Sequence, residues 1–299
     1  MSLTTATNMS TLTTTDITAL SVADIISLTT TQAAALSAAQ VQVLSGIQVS
    51  NFSVDSIAQL ASDRVATLTT DAFQYMEAAQ ITAITTSGVK GLTSAEIQAL
   101  NRSQFLALST AQVAALLTSQ IAAISTTQAP YLSTAQAAAF STAQAVAIET
   151  VDLARLDEPT VEALGTTNIK ALTTAQIASL TDRQIQGLST ASIAVLTTAQ
   201  IVSLETNQVA ALSTAQIAGL NTAQTAALET TDLVVLTSTQ LAGLSTTNLA
   251  ALKTSQIAAL TTAQANGLST SQIAALTTSQ TQAVTTADLL TLSTSQINA

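Results

Sequence analysis

The chain has 299 residues, no cysteine, no histidine and only 8% charged side chains, 17 acidic against 7 basic. The missing residue types exclude disulfides, thiol catalysis, serine triads and the usual zinc ligand sets. The acidic balance, with Arg64, Lys90, Arg102, Arg155, Lys170, Arg183 and Lys253 scattered singly, offers no patch for nucleic acid or anionic membrane.

At the N-terminus, Met1-Ser2-Leu3-Thr4-Thr5 lacks the basic and apolar regions of a signal peptide. Thereafter an apolar anchor returns every eight residues: Leu12, Leu20, Leu28, Leu36, Leu44, Phe52, Leu60, Leu68, Met76, Ile84, Leu92 and onward to Val284 and Leu292. All 36 anchors are apolar, and no insertion or deletion breaks the register. A fixed short period over so many copies predicts a repeat protein in which each unit leans on its neighbours. The unbroken register predicts one continuous array over 1–299. Ala299 falls one residue short of the next anchor, which reads as a truncated or engineered boundary. Although 47% of residues are apolar, hydroxyls and amides interrupt every few positions, so no stretch approaches the roughly 20 apolar residues of a membrane-spanning helix.

Each octad encodes a helix start. In Leu212-Ser213-Thr214-Ala215-Gln216-Ile217-Ala218-Gly219, Ser213 and Gln216 have the spacing of a capping box, and Leu212 with Ile217 that of a hydrophobic staple. Because the start signal returns after eight residues, each helix is limited to about seven residues, on the order of 10 Å. Helices so short are unstable alone. Small residues such as Ala215 and Gly219, four apart on one face, let neighbouring helices approach closely. The predicted fold is therefore all-α, a solenoid of very short helices, one per octad.

The alternative is a β-solenoid. The two large apolar positions alternate at spacings of five and three, both odd, which would place them on opposite faces of a strand. Only 8 Gly and 2 Pro are present to build the turns such a fold needs.

A longer period of 80 residues lies above the octad. Glu149-Thr150-Val151-Asp152-Leu153 matches Glu229-Thr230-Thr231-Asp232-Leu233, and Gly187-Leu188-Ser189-Thr190 matches Gly267-Leu268-Ser269-Thr270. If the duplicated block of ten octads held whole coils, two or five octads per coil would fit and three or four would not, with two preferred.

No chemistry rises above the repeat: no catalytic, cofactor-binding or metal-ligating residue is assigned, and no cofactor or small-molecule substrate is implied. The densest charge cluster, Glu149, Asp152, Arg155, Asp157 and Glu158, has the oxygen ligands of a calcium or acid/base site. Its members Glu149, Asp152 and Asp157, however, occupy cap and Gln positions, where acidic groups serve helix starts. Asp16, Asp24, Asp232 and Asp288 read as capping variants for the same reason. Leu117, Glu77, Lys253 and Gly165 at cap positions weaken the cap signal. The row of Thr190, Thr198, Thr206, Thr214, Thr222 and Thr230 presents hydroxyls at regular spacing, a possible surface for ice or O-linked sugars.

Octads such as Leu268-Ser269-Thr270-Ser271-Gln272-Ile273-Ala274-Ala275-Leu276 resemble repeat tracts of large bacterial secreted or cell-surface proteins of adhesin type. That resemblance implies an extracellular spacer or scaffold, without an adhesive head or a Gly/Asp calcium-binding nonapeptide in this chain. The expected function is a non-catalytic stalk or filament segment, with surface binding through the Thr rows as the alternative. Ordinary repeat at both ends leads to the expectation of head-to-tail self-association, an open contact that does not close.

Overall fold

A computed structural model describes residues 3–299. Among the described residues there are 34 α-helices and three 3₁₀ turns, one element for every octad, and no strand. The chain is an all-α repeat array. The helices run four to seven residues, as the recurrent start signals require.

The turn between helices needs neither glycine nor proline. Leu212 leaves one helix at φ −59°, ψ 132°, and Ser213 enters the next at φ −70°, ψ 158°. Two extended residues thus make a corner, and the anchor is the first of them. Gly165, at φ +78°, is the one positive φ among the described residues. It stands where other octads carry a capping hydroxyl, and the preceding Leu164 is helical instead of extended.

The chain divides into two compact units, Met1–Leu156 and Asp157–Ala299. In the first, Gly46–Ser50 packs on Thr70–Tyr75 and Val54–Ile57 on Ala78–Ala83; in the second, Asp182–Gly187 packs on Thr206–Ala211 and Ser238–Ala242 on Thr262–Gly267. Within each unit a helix therefore stacks on the third element after it, and one coil is three octads, or 24 residues. This corrects the expectation of two or five. Ten octads make three coils and one octad more, so the block does not hold whole coils. It has no need to, because the octad is equivalent at all three corners of a coil and any multiple of eight residues preserves the register.

Three positions are buried in most octads. The anchor and the Ile position line the core in both units, for example Leu36, Ile81 and Ile97 in the first and Ile177, Ile217 and Leu241 in the second. Phe52 and Phe140 take the anchor position and are buried there. The third buried position is the Gln row, although it is polar. Close approach between coils occurs at the small residues: a Cβ on Gly243 would lie 2.8 Å from the Thr214 methyl, and one on Gly267 2.7 Å from Ser238 Cβ.

Candidate functional site: a carboxamide ladder between coils

The Gln row falls at every residue number divisible by eight, and 22 of its 36 positions from 16 to 296 are Gln. In Gln216 each half of the carboxamide has a separate task. Oε1 accepts from the Ser213 amide at 2.7 Å, while the Gln216 amide donates to Ser213 Oγ at 3.2 Å, completing the capping box. Nε2 donates to the carbonyls of Ile185 at 2.8 Å and Leu188 at 2.7 Å, 31 and 28 residues earlier. Leu188 and Leu212 are corner anchors one coil apart, so each Gln ties a corner to the corner beneath it. The side chain is only 2% exposed.

The same rung recurs from Gln104 to Gln144. Gln112 donates to Ile81 and Ile84, Gln120 to Val89 and Leu92, Gln128 to Ile97 and Leu100, all between 2.6 and 2.8 Å. A buried amide bonded in this way contributes about 0.5–1.5 kcal/mol per hydrogen bond, and losing it leaves buried carbonyls unpaired at a further cost of about 1–3 kcal/mol. The rungs therefore fix the register of the coils as well as stabilising them.

Octad spacing alone places this Gln in the capping box. A signal for the rest was present: a capping box is satisfied as well by Glu, yet Glu96 is the only Glu in the row. A preference for the amide over the acid means that the row needs a donor, and a donor turned away from its own cap must meet another coil. Octads with poor caps point the same way. The amides of Glu77, Leu117, Glu205 and Lys253 still donate to Oε1 of Gln80, Gln120, Gln208 and Gln256, at 2.6–2.9 Å, without a capping side-chain bond of their own.

Where the row is not Gln, other solutions appear. Asn248 is shorter and still reaches the Leu220 carbonyl. At Ser192 the coil below reaches up: Glu162 accepts from the Ser189 amide at 3.0 Å and the Ser192 hydroxyl at 2.8 Å. Asp16 and Asp24 are capping variants as expected. Hydrogen bonds from the Thr13 side chain and amide hold the Asp16 carboxyl below the ordinary range, and the Ser21 hydroxyl, then the Leu3 and Ser21 amides, do so for Asp24. Asp288 accepts from the Thr285 hydroxyl.

Asp152, Asp232 and Glu149 depart from the capping expectation. Glu149 makes no capping side-chain bond. Asp152 Oδ1 is buried without a partner among Ile121, Ile124, Ala129, Phe140 and Ile148, and burial, then the nearby Glu149, pushes its carboxyl up. Asp232 takes the Thr206 hydroxyl at 3.0 Å, and burial again raises it. Both octads carry Glu at the cap, so the Asp finds a like charge where a capping hydroxyl would stand. Glu149 and Asp152 lie in the first unit and Asp157 and Glu158 in the second, where Asp157 caps the Thr160 amide at 2.9 Å. Among the described residues no group of three or more acidic side chains is arranged to hold a metal. No helix there is long and apolar enough to cross a membrane.

A family model for the ALTTAQ repeat matches residues 145–182, 201–231 and 225–262, about a third of the chain. The motif stands in full at Ala171-Leu172-Thr173-Thr174-Ala175-Gln176 and at Ala259-Leu260-Thr261-Thr262-Ala263-Gln264. Each copy holds an anchor, a cap and the Gln of the row, and Gln264 donates to the Leu233 and Leu236 carbonyls at 2.7 Å. The chain is a repeat protein of similar kind. No curated protein matches it.

Proposed function

We propose that the chain is a non-catalytic structural element, an extracellular spacer or stalk that associates end to end into filaments. The observation that carries this reading is the allocation of side chains. In the consensus octad the anchor and Ile fill the core, the hydroxyl caps the next helix and the Gln ties the coils, leaving mostly Thr and Ala outside. Nothing in the octad is held in reserve for chemistry. The ladder also has polarity, with carboxamide donors on one side of a coil and backbone carbonyls on the other. Such faces are complementary between copies as well as within one, which supports heterologous association.

Electron microscopy and light scattering across a concentration series test the assembly. Filaments that lengthen with concentration are expected, and a strictly monomeric particle at high concentration rejects it. Fractionation of the producing cells tests the extracellular placement; retention in the cytoplasm rejects it.

A second reading rests on the exposure of Thr190, Thr198, Thr206, Thr214, Thr222 and Thr230. A regular hydroxyl row can order water or receive sugars. Thermal hysteresis and a glycan array test it, and negatives in both remove it.

A further inference from the structure

Glu96 stands in the Gln row, 3% exposed, at a corner that stacks on Leu68. One of its oxygens, Oε2, does what Gln Oε1 does: it accepts from the cap amide, here Thr93, at 2.6 Å. By register, its other oxygen corresponds to the amide nitrogen, which in the neighbouring rungs Gln104 and Gln112 donates to carbonyls 28 and 31 residues back. For Glu96 those carbonyls are Leu68 and Val65. In Gln104 they are Met76 and Phe73, and in Gln112 Ile84 and Ile81. A carboxylate has only acceptors to offer them, whereas a neutral carboxylic acid has one acceptor and one O–H donor on the same planar frame as a carboxamide.

We infer that Glu96 is a proton-operated rung, neutral when it ties the corner at Leu92 to the corner at Leu68 and breaking that tie when it ionises. Glu has the length of Gln, so the protonated acid completes the rung without moving the helix. Asp152 and Asp232 are shorter by one methylene and do not qualify. Asp152 leaves Oδ1 unpartnered, and Asp232 is turned to the Thr206 hydroxyl.

The surroundings agree. Ser94–Ala99 packs on Thr70–Tyr75 and under Thr118–Ile121. The first carries Asp71 and Tyr75 and the second no titratable group; Asp63 and Arg64 lie on the helix before Leu68, with Lys90 and Arg102 on the flanking elements. Burial raises the Glu96 carboxyl, and the hydrogen bonds from Thr93 oppose that only in part.

The location gives the proton a consequence. At Ser56, Arg64, Ala72 and Gly88 the row has no carboxamide, so between Gln48 and Gln104 the corners are tied by Gln80 and by Glu96. Stability from this rung is fully present below the ordinary glutamate range, about pH 4.3. It is lost as pH rises through the higher folded value. The coil at 53–76 therefore loosens as pH rises through that value.

The test compares the full chain with Glu96→Gln, which keeps the rung at every pH. Melting temperature measured from about pH 4 to pH 8 should fall in the wild type relative to the variant, by about 2–4 °C for each kcal/mol of rung lost. In parallel, carboxyl carbon NMR on Glu-labelled chain, with the Glu96 signal identified by its loss in Glu96→Gln, should show a midpoint above that of ordinary glutamate. Parallel melting profiles, or a midpoint at or below the ordinary value, would overturn the proposal.

Discussion

Two coils of the first unit, 53–76 and 101–124, share one octad plan and are held in opposite ways. Six corner contacts bound each coil. Around 101–124 all six are Gln rungs, from Gln104, Gln112 and Gln120 below and Gln128, Gln136 and Gln144 above. Around 53–76 one is, Gln80, while Ser56, Arg64, Ala72, Gly88 and Glu96 fill the other places. Arg64 even leaves its buried Nε without a partner.

The poor coil is held by contact instead. A Cβ on Gly91 would lie 2.1 Å from the Ser62 carbonyl, and one on Gly46 2.3 Å from the Tyr75 ring. Hydrogen-bonded rungs and backbone proximity are thus alternative ways to join coils. The comparison teaches that the register belongs to the octad, whereas the strength of each joint is set corner by corner.

The largest difference is expected from removing a rung. Gln112→Ala should cost about 2–4 kcal/mol, because two buried carbonyls lose their donor. Arg64→Ala, at a row position of the poor coil, should stay within about 0.5 kcal/mol. Denaturant unfolding of the two variants measures both; equal losses would erase the distinction between the coils.

Glycine should invert the order. Gly91→Ala forces a methyl against the Ser62 carbonyl and should cost about 1–3 kcal/mol. Ala115→Gly, at the equivalent place one coil later, should cost only about 1 kcal/mol through helix propensity. A harmless Gly91→Ala would show that proximity does not hold the poor coil.

A smaller change is expected at the weak cap of the strong coil. Leu117 is half-exposed at a cap position, and only Gln120 serves its amide. Leu117→Ser adds the missing hydroxyl and should raise stability by about 0.5–1 kcal/mol, read as a shift in the unfolding midpoint. A fall would mean that Leu117 packs more than it costs.

The smallest effect concerns Asp16 and Asp24. Their carboxyls are held below the ordinary range, so the stability they contribute is present above the ordinary aspartate value and lost as pH falls through the lower folded values. Acid should therefore loosen the first coil while it tightens the corner at Glu96. Amide exchange at 14–26 and at 94–99, followed between pH 3 and pH 7, should move in opposite directions once corrected for intrinsic rates. Movement in the same direction would contradict one of the two assignments, the one whose segment moves against its expected sign.

Much of this was legible in the residues. Leu212, Ser213 and Ile217 announce anchor, cap and staple, and the helices follow. The coil was not, because an octad equivalent at every corner carries no mark of how many octads close a turn, and the 80-residue duplication copies register without copying coils. The rung was half legible: Gln216 shows its cap role locally, while its partners Ile185 and Leu188 are named only by the stacking. Asp152 and Asp232 misled for a related reason, since the cap residues Glu149 and Glu229 deny them the partner their row position implies.

Residue-resolved amide hydrogen exchange of the whole chain under native conditions tests the ladder most directly. The account predicts that the helix amides of 101–124 exchange more slowly than those of 53–76. Equal protection in the two coils, or slower exchange at 53–76, would contradict the claim that carboxamide rungs hold the coils together.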